Sequence, residues 1–162
     1  MSRSGYSDGY DIEHWSHIRW RGAVASAMRG KRGQAFLRDA IAALDAMPVK
    51  ELAGGSFTTE DGCRCFLAAV AHQRDIDLSP VLPDFVDDDD DLSAQEVAAD
   101  VAALLGIAPA MAQEIIYEND ECMAPYKGMH PKGAARNAPL TRRERWEAMR
   151  RWAISQLKGD LR

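Results

Sequence analysis

Hydrophobic residues recur at steps of three and four along most of the chain, the spacing of helices that bury one face. Between residues 14 and 47 the pattern fills two successive stretches, HWSHIRWRGAVASAM and QAFLRDAIAALDAM. The five residues between them, RGKRG, contain two glycines and favour a turn, and Pro48 ends the second stretch. The sequence therefore predicts an N-terminal helical hairpin with small residues at its contact, around which the rest of the chain is organised.

Further helices are indicated by the same period and by capping signals. A short apolar helix is expected at about residues 64–74. Ser93 with Glu96, and Thr141 with Glu144, have the spacing of a capping box at a helix N-terminus. Between these two helices, the stretch IAPAMAQEIIYENDE predicts one more, with proline in its first turn.

One region has strand character. Residues 49–66 contain short runs rich in Phe, Thr and Cys on either side of the turn triplet Glu60-Asp61-Gly62. We predict a small β-hairpin here that lies on the helices, because two strands alone are marginally stable. The fold class is therefore mainly α, a single-domain bundle of five to six helices with a small β-hairpin.

The domain organisation follows from length and composition. A chain of 162 residues with 46% hydrophobic residues is large enough for one core without disulfides or metals. Residues 1–11 are expected to form a flexible arm, and residues 12–162 one helical domain. That domain carries two predicted loops, an acidic one at 84–92 and a Pro- and Gly-rich one at 122–140.

The composition also bears on location. No apolar run approaches the roughly 18 residues needed to cross a bilayer, and the first residues lack the apolar core of a signal peptide. Three cysteines, an odd number, fit a reducing compartment in which they stay free. We expect a cytoplasmic protein that does not bind a membrane.

Charge is strongly segregated along the chain, although the net charge is only −5. Residues 1–38 carry +4, residues 39–126 carry −16, and residues 127–162 carry +7. Such a chain can pair its basic ends with its acidic middle, or it can present a binding surface of one sign. Both interpretations stay open at this point.

Four charged groups are the candidate partner-binding residues. The basic turn could hold a phosphate, the aspartate run could meet a basic partner or imitate phosphates, and the last helix is basic and amphipathic. The acids at the end of the IAPAMAQEIIYENDE helix oppose the helix dipole unless an arginine relieves them. The residues are Arg29, Lys31 and Arg32; Asp87, Asp88, Asp89, Asp90 and Asp91; Glu118, Asp120 and Glu121; and Arg142, Arg143 and Arg150.

Metal and catalytic signals are weak. His14 and His17 lack the Glu of a zincin motif, and Cys63 and Cys65 form CxC rather than CxxC. Cys122 and a distant His72 or His130 could complete a zinc site, but their spacing is not a recognised one. Residues 87–91 lack the spaced ligands and the glycine of a calcium loop. We therefore predict no metal, no cofactor and no catalytic residue.

The segment IRWRGAVASAMRGKRGQAFLRDAIAALDAMP, together with IAPAMAQEIIYENDE and RWEAMRRW, resembles a group of small uncharacterised proteins from bacteriophages and prophages. The resemblance covers about two thirds of the chain. It implies no known activity, no cofactor and no catalytic residues. A phage origin favours a protein that acts by binding a host or phage factor.

Three functional hypotheses follow. The first is a non-catalytic phage accessory protein that binds a protein partner, with a host defence component as one such partner. The alternative is a nucleic-acid-binding regulator that uses the basic turn and the C-terminal basic helix. The third is a small enzyme with a carboxylate site, for which Glu114 and Glu118, one helical turn apart, are the available pair.

Overall fold

The structure is a computed structural model that describes residues 14–82, 91–121 and 140–158, and it confirms the mainly helical fold class. The predicted arm 1–11 and most of the two predicted loops lie outside these residues. Six α-helices occur in the described part. They are α1 (His14–Arg29), α2 (Lys31–Ala46), α3 (Phe66–Gln73), α4 (Asp91–Leu105), α5 (Pro109–Glu121) and α6 (Arg142–Ser155), with a short 3-10 turn at Ser79–Val81.

Helix α3 is the most completely buried element of the core, and α2 of the N-terminal hairpin packs on it. All six residues from Phe66 to Ala71 are buried, and α2 and α5 pack on this helix. In contrast, Met28 is the one fully buried hydrophobic residue of α1 in the part whose side chains are described. The hydrophobic period located α1 correctly, but it does not reveal that α3, the shortest α-helix, is the most completely buried.

The junction between α1 and α2 is shorter than predicted, because Gly30 alone lies outside the two helices. Lys31, Arg32 and Gly33 form the first turn of α2, and the Gln34 N–H donates to the Gly30 carbonyl at 2.9 Å. A Cβ at Gly33 would lie 2.1 Å from the backbone oxygen of Ala27 in α1. The close helix contact that small residues were expected to allow is therefore present at Gly33.

The predicted β-hairpin at 49–66 is wrong, since the described residues contain no strand. Its turn does form, with Gly62 at φ +81°, but a single antiparallel bridge joins Thr58 to Arg64. No longer ladder can form because the chain after Cys65 enters α3 at once. On the N-terminal side of the turn, the Ala53 N–H donates to the Arg64 carbonyl at 2.9 Å. This bond directs the chain before Thr58 away from a regular antiparallel pairing.

Helices α4 and α5 form a bent pair around Gly106, which has φ +71°. Among the described residues, no single helix is long and apolar enough to span a membrane. Residues Ala94–Leu105 and Pro109–Glu121 pass that criterion together, by length and composition, but are bent by 111° at the break. Helix α4 begins at Asp91, two residues before the predicted cap at Ser93.

The last helix, α6, starts at the predicted capping box. The Glu144 N–H donates to Thr141 Oγ1 at 3.3 Å, and the Thr141 N–H donates to Glu144 Oε2 at 2.9 Å. Met149 and Ala153, on the predicted apolar face, are fully buried. This docking leaves much of the arginine-rich face of α6 at the surface.

Candidate binding surfaces

The side chain of Gln34 joins the end of α6 to the α1–α2 junction. It is 6% exposed, and its Nε2 donates to the carbonyls of Met28 at 2.8 Å and Gln156 at 2.9 Å. Its Oε1 accepts from the Lys158 N–H at 2.7 Å. The Lys158 Nζ then donates to the Arg29 carbonyl at 3.0 Å. The C-terminal end of α6 is thus fixed against the predicted basic turn.

This docking gathers four exposed cations at one end of the molecule, Arg29, Lys31, Arg32 and Lys158, which we call the basic tip. Among the residues that the structure describes, none of the four takes part in an ion pair. Three of them are predicted partner-binding residues. Lys158 joins them only through the fold.

The three candidate arginines of α6 differ from the basic tip, because each pairs with a carboxylate of the chain. Arg142 donates from Nη1 and Nη2 to the two carboxylate oxygens of Asp61, at 2.5 and 3.1 Å. Arg150 donates from Nε and Nη2 to the two carboxylate oxygens of Asp45, at 2.6 and 2.8 Å. Arg143 Nε donates to Glu147 Oε1 at 3.0 Å, within the same helix. Two of the three carboxylates belong to the acidic middle of the chain. Internal pairing, one of the two open interpretations of the charge pattern, therefore operates at α6.

Two of these ion pairs lower the pKa of the carboxylate that takes part in them. Hydrogen bonds from Arg142, and then from Thr59, lower the pKa of Asp61 to about 2. The hydrogen bond from Arg150 likewise lowers the pKa of Asp45. Both carboxylates are charged at neutral pH and neutralise the arginines beside them, although these pairs are exposed and contribute little to stability.

Arg143 and Arg150 of α6 also border Trp146. The Arg143 and Arg150 guanidinium carbons each lie 6.0 Å from its ring centroid, and Lys50 Nζ lies 5.3 Å from it. The indole N–H donates to the Leu44 carbonyl at 3.3 Å, near the end of α2. Cations in contact with an aromatic face and with carboxylates are less available to an external anion.

The acids at the end of α5 make internal contacts as well. Asp120 Oδ1 accepts from the Gly55 N–H at 3.0 Å and from Asn119 Nδ2 at 2.8 Å. Arg145, 8% exposed, donates from Nη1 to the Asn119 carbonyl at 2.7 Å. An arginine from the basic C-terminal segment therefore lies at the negative end of the α5 dipole, as the sequence allowed.

Glu118 and Glu121 are half-buried in the same region. Burial, and secondly the charge of Glu114, raises the pKa of Glu118, while a hydrogen bond from the Trp152 side chain opposes the change. One carboxylate oxygen of Glu121 is buried and has no hydrogen-bond partner among the described residues.

The sequence did not single out four residues that support these surfaces, namely Gln34, Gly54, Asn119 and Arg145. Asn119 is 1% exposed; its Oδ1 accepts from the Phe66 N–H at 3.1 Å and its Nδ2 donates to the Ala53 carbonyl at 2.9 Å. A signal existed: Gln34, Asn119 and Arg145 are polar residues at positions on the apolar face of their helices. Polar groups at such positions are usually buried with hydrogen-bond partners.

An open groove of about 450 Å³ lies at the opposite end of α2 from the basic tip. One wall is apolar, and Val49 on it is 60% exposed. The other wall comes from the turn before α3 and from α3 itself. The principal lining residues are Ala43, Met47, Val49, Ala69, Asp61, Cys63 and Arg142. Among the predicted partner-binding residues that the structure describes, Arg142 alone lines it.

Cys63 lies in this groove, and burial raises the pKa of its thiol, which disfavours the reactive thiolate. Within the described ranges, no group of three His, Cys, Asp or Glu side chains is placed to hold a metal ion. Cys122 and His130 lie outside those ranges.

Of the aspartate run, Asp91 is the first residue of α4, and Asp87, Asp88, Asp89 and Asp90 lie outside the described residues.

Comparison with known proteins adds no relative: no family model matches the chain, and no curated protein sequence or solved structure matches it.

Proposed function

We propose that this chain is a non-catalytic phage accessory protein that binds a protein partner in the host cytoplasm, and that an extended segment of this partner lies in the groove beside α2. A host defence component is one partner of this kind. The phage origin is supported by the sequence resemblance alone. The observation that carries the binding function is the groove itself, with Val49 at 60% exposure on its apolar wall.

The groove suits a peptide segment because it combines an apolar wall with charged groups at its edge. Binding sites are mostly apolar concave surfaces with a few polar groups that fix orientation. Here Ala43, Met47 and Val49 would contact aliphatic side chains, and the Asp61–Arg142 pair offers a donor and an acceptor beside them. The groove is open, so an extended chain can enter without rearrangement of the core.

The alternative, a nucleic-acid-binding regulator, requires both the basic turn and the arginines of α6 to face phosphates. Arg142, Arg143 and Arg150 already contact carboxylates of the same chain. Phosphate contact would have to break these pairs, which weakens the alternative. The third hypothesis rests on Glu118, whose raised pKa is a property of general acids, but that carboxyl already accepts a hydrogen bond from Trp152.

Affinity capture from a bacterial host lysate, followed by mass spectrometry, tests the proposal with two matched variants. Val49→Asp places a charge on the apolar wall, whereas Ile154→Asp makes the same change at a 41% exposed position on α6. We expect the wild type and Ile154→Asp to retain the same protein with nuclease present. Val49→Asp should bind it about tenfold more weakly or worse, measured by calorimetry with the purified partner.

Capture that disappears on nuclease treatment would favour the nucleic-acid alternative. Equal affinity of the wild type and Val49→Asp for the captured protein would exclude the groove as its site. Circular dichroism of both variants verifies that the fold is retained.

A further inference from the structure

The four cations of the basic tip have no role in the groove and none in the ion pairs of α6. Arg29, Lys31, Arg32 and Lys158 come from three helices or their ends, and the chain is folded so that they lie together. Like charges repel when they are brought close, and no described carboxylate pairs with any of them. Lys158 Nζ donates to the Arg29 carbonyl at the C-terminal end of α1, but among the described residues no carboxylate offsets the charges of Lys31 and Arg32.

The backbone that carries these cations is held firmly. The contact between Gly33 and the Ala27 backbone leaves no room for even a methyl group. The Gln34 side chain, 6% exposed, makes three hydrogen bonds that connect both helix ends to α6. A partner therefore meets cations on a pre-ordered backbone, and the entropy lost on binding is confined to the side chains.

The size of the tip distinguishes between two kinds of anionic partner. A nucleic acid carries phosphates along its whole length, and proteins that bind it extend a basic track over many contacts. Helix α6 could have continued such a track, but its arginines Arg142, Arg143 and Arg150 are paired internally. At a screening length of about 8 Å, the four cations attract only the part of a long polyanion that lies near them. The rest of the polyanion would lie beside a chain whose net charge is −5.

We propose that the basic tip is a second interaction surface, which binds a compact cluster of carboxylates on a protein. A cluster of that size lies within the field of the four cations and need not approach the acidic remainder of the molecule. Charge complementarity of this kind accelerates association and selects the partner. The inference is independent of the groove, since the two surfaces share no residue.

The test uses a defined probe, a labelled alanine-based helical peptide of 15 residues with four glutamates on one face. A second peptide with glutamine in place of glutamate, and a duplex DNA of 20 base pairs, are compared with it by fluorescence anisotropy at about 0.15 M salt. We expect the glutamate peptide to bind about tenfold more tightly than the glutamine peptide and more tightly than the DNA.

Two double variants locate the binding. Lys31→Glu with Arg32→Glu reverses two tip charges; the fold should survive, since acidic residues are favourable in the first turn of a helix. Arg21→Glu with Arg38→Glu makes the same change in net charge at exposed positions of α1 and α2 away from the tip. The tip variant should lose about tenfold or more in affinity for the glutamate peptide, and the control variant about threefold or less.

Three results would overturn the inference: DNA binding tighter than binding of the glutamate peptide, equal binding of the two peptides, or equal losses in the two double variants. The tip variant leaves every lining residue of the groove unchanged, so failure of the groove proposal would leave this measurement interpretable.

Discussion

The guanidinium carbon of Arg145 lies 2.5 Å from the position that a Cβ on Gly54 would occupy. The arginine is 8% exposed, and its Nη1 donates to the Asn119 carbonyl at the end of α5. Helix α6 thus reaches α5 across a backbone position that only glycine can supply without displacing a buried charge.

Substitution of Gly54 by alanine should therefore destabilise the protein by about 1–3 kcal/mol, because the buried guanidinium must leave its hydrogen-bond acceptors. Gly33→Ala should cost more, about 3 kcal/mol or above, since its Cβ would meet the backbone of Ala27 rather than a side chain. Gly22→Ala, with nothing within 4 Å of its Cβ, should be neutral or stabilising by up to about 1 kcal/mol. Denaturant unfolding of the three variants measures this order, and any other order contradicts the packing described.

Replacement of Gln34 by leucine should destabilise the junction between α1, α2 and α6. The change leaves the Met28 and Gln156 carbonyls and the Lys158 N–H without their partner, at a cost of about 1–3 kcal/mol. Gln156→Leu is the matched control, since Gln156 contacts Gln34 through its backbone carbonyl, which the substitution keeps. Thermal unfolding should show a loss for the first variant only. Equal melting temperatures for the two would mean that the Gln34 contacts contribute nothing.

The raised pKa of Glu118 gives a stability change with a definite sign. Because the folded protein holds the proton more tightly than the unfolded chain, stability falls as the pH rises from the ordinary carboxyl pKa through the raised one. Glu118→Gln keeps a hydrogen-bond acceptor for Trp152 and removes the charge, so it should raise the melting temperature at pH 7. The gain should vanish below about pH 4, where the carboxyl is protonated in both states.

Because the sequence predicts an acidic loop at 84–92, neutralisation of the aspartate run 87–91 by asparagine should leave the fold intact, since exposed charges contribute little to stability. If these residues meet a basic partner surface, the same change should weaken the complex mainly through slower association. Stopped-flow measurements with the captured partner separate the two rates. A large drop in melting temperature, or an effect confined to dissociation, would contradict this expectation.

The helices were predictable from the sequence because their signals are local. The period of apolar residues and the Thr141–Glu144 capping box depend on neighbours within one or two turns. The junction at Gly30 was predicted too long because its two glycines, Gly30 and Gly33, have weak helix preferences on their own. The contact of Gly33 with Ala27 and the bonds of Gln34 hold these residues in the helix instead.

The surfaces were harder to predict because they depend on pairs distant along the chain. Arg142 and Asp61 are 81 residues apart, and Arg150 and Asp45 are 105 apart. A segregated charge pattern shows that such pairing is available but not which arginine finds which carboxylate. Arg145 was not singled out either, although it precedes Met149 by four residues and so belongs to the buried face of α6.

Helix α2 carries Lys31 and Arg32 of the basic tip in its first turn, and Ala43 of the groove in its last. A continuous helix of 16 residues is about 24 Å long and resists bending. It therefore keeps the basic tip and the groove at a constant separation. A molecule with binding segments for both surfaces gains affinity from their linkage only if its linker spans that distance. A shorter linker restricts the molecule to a single site.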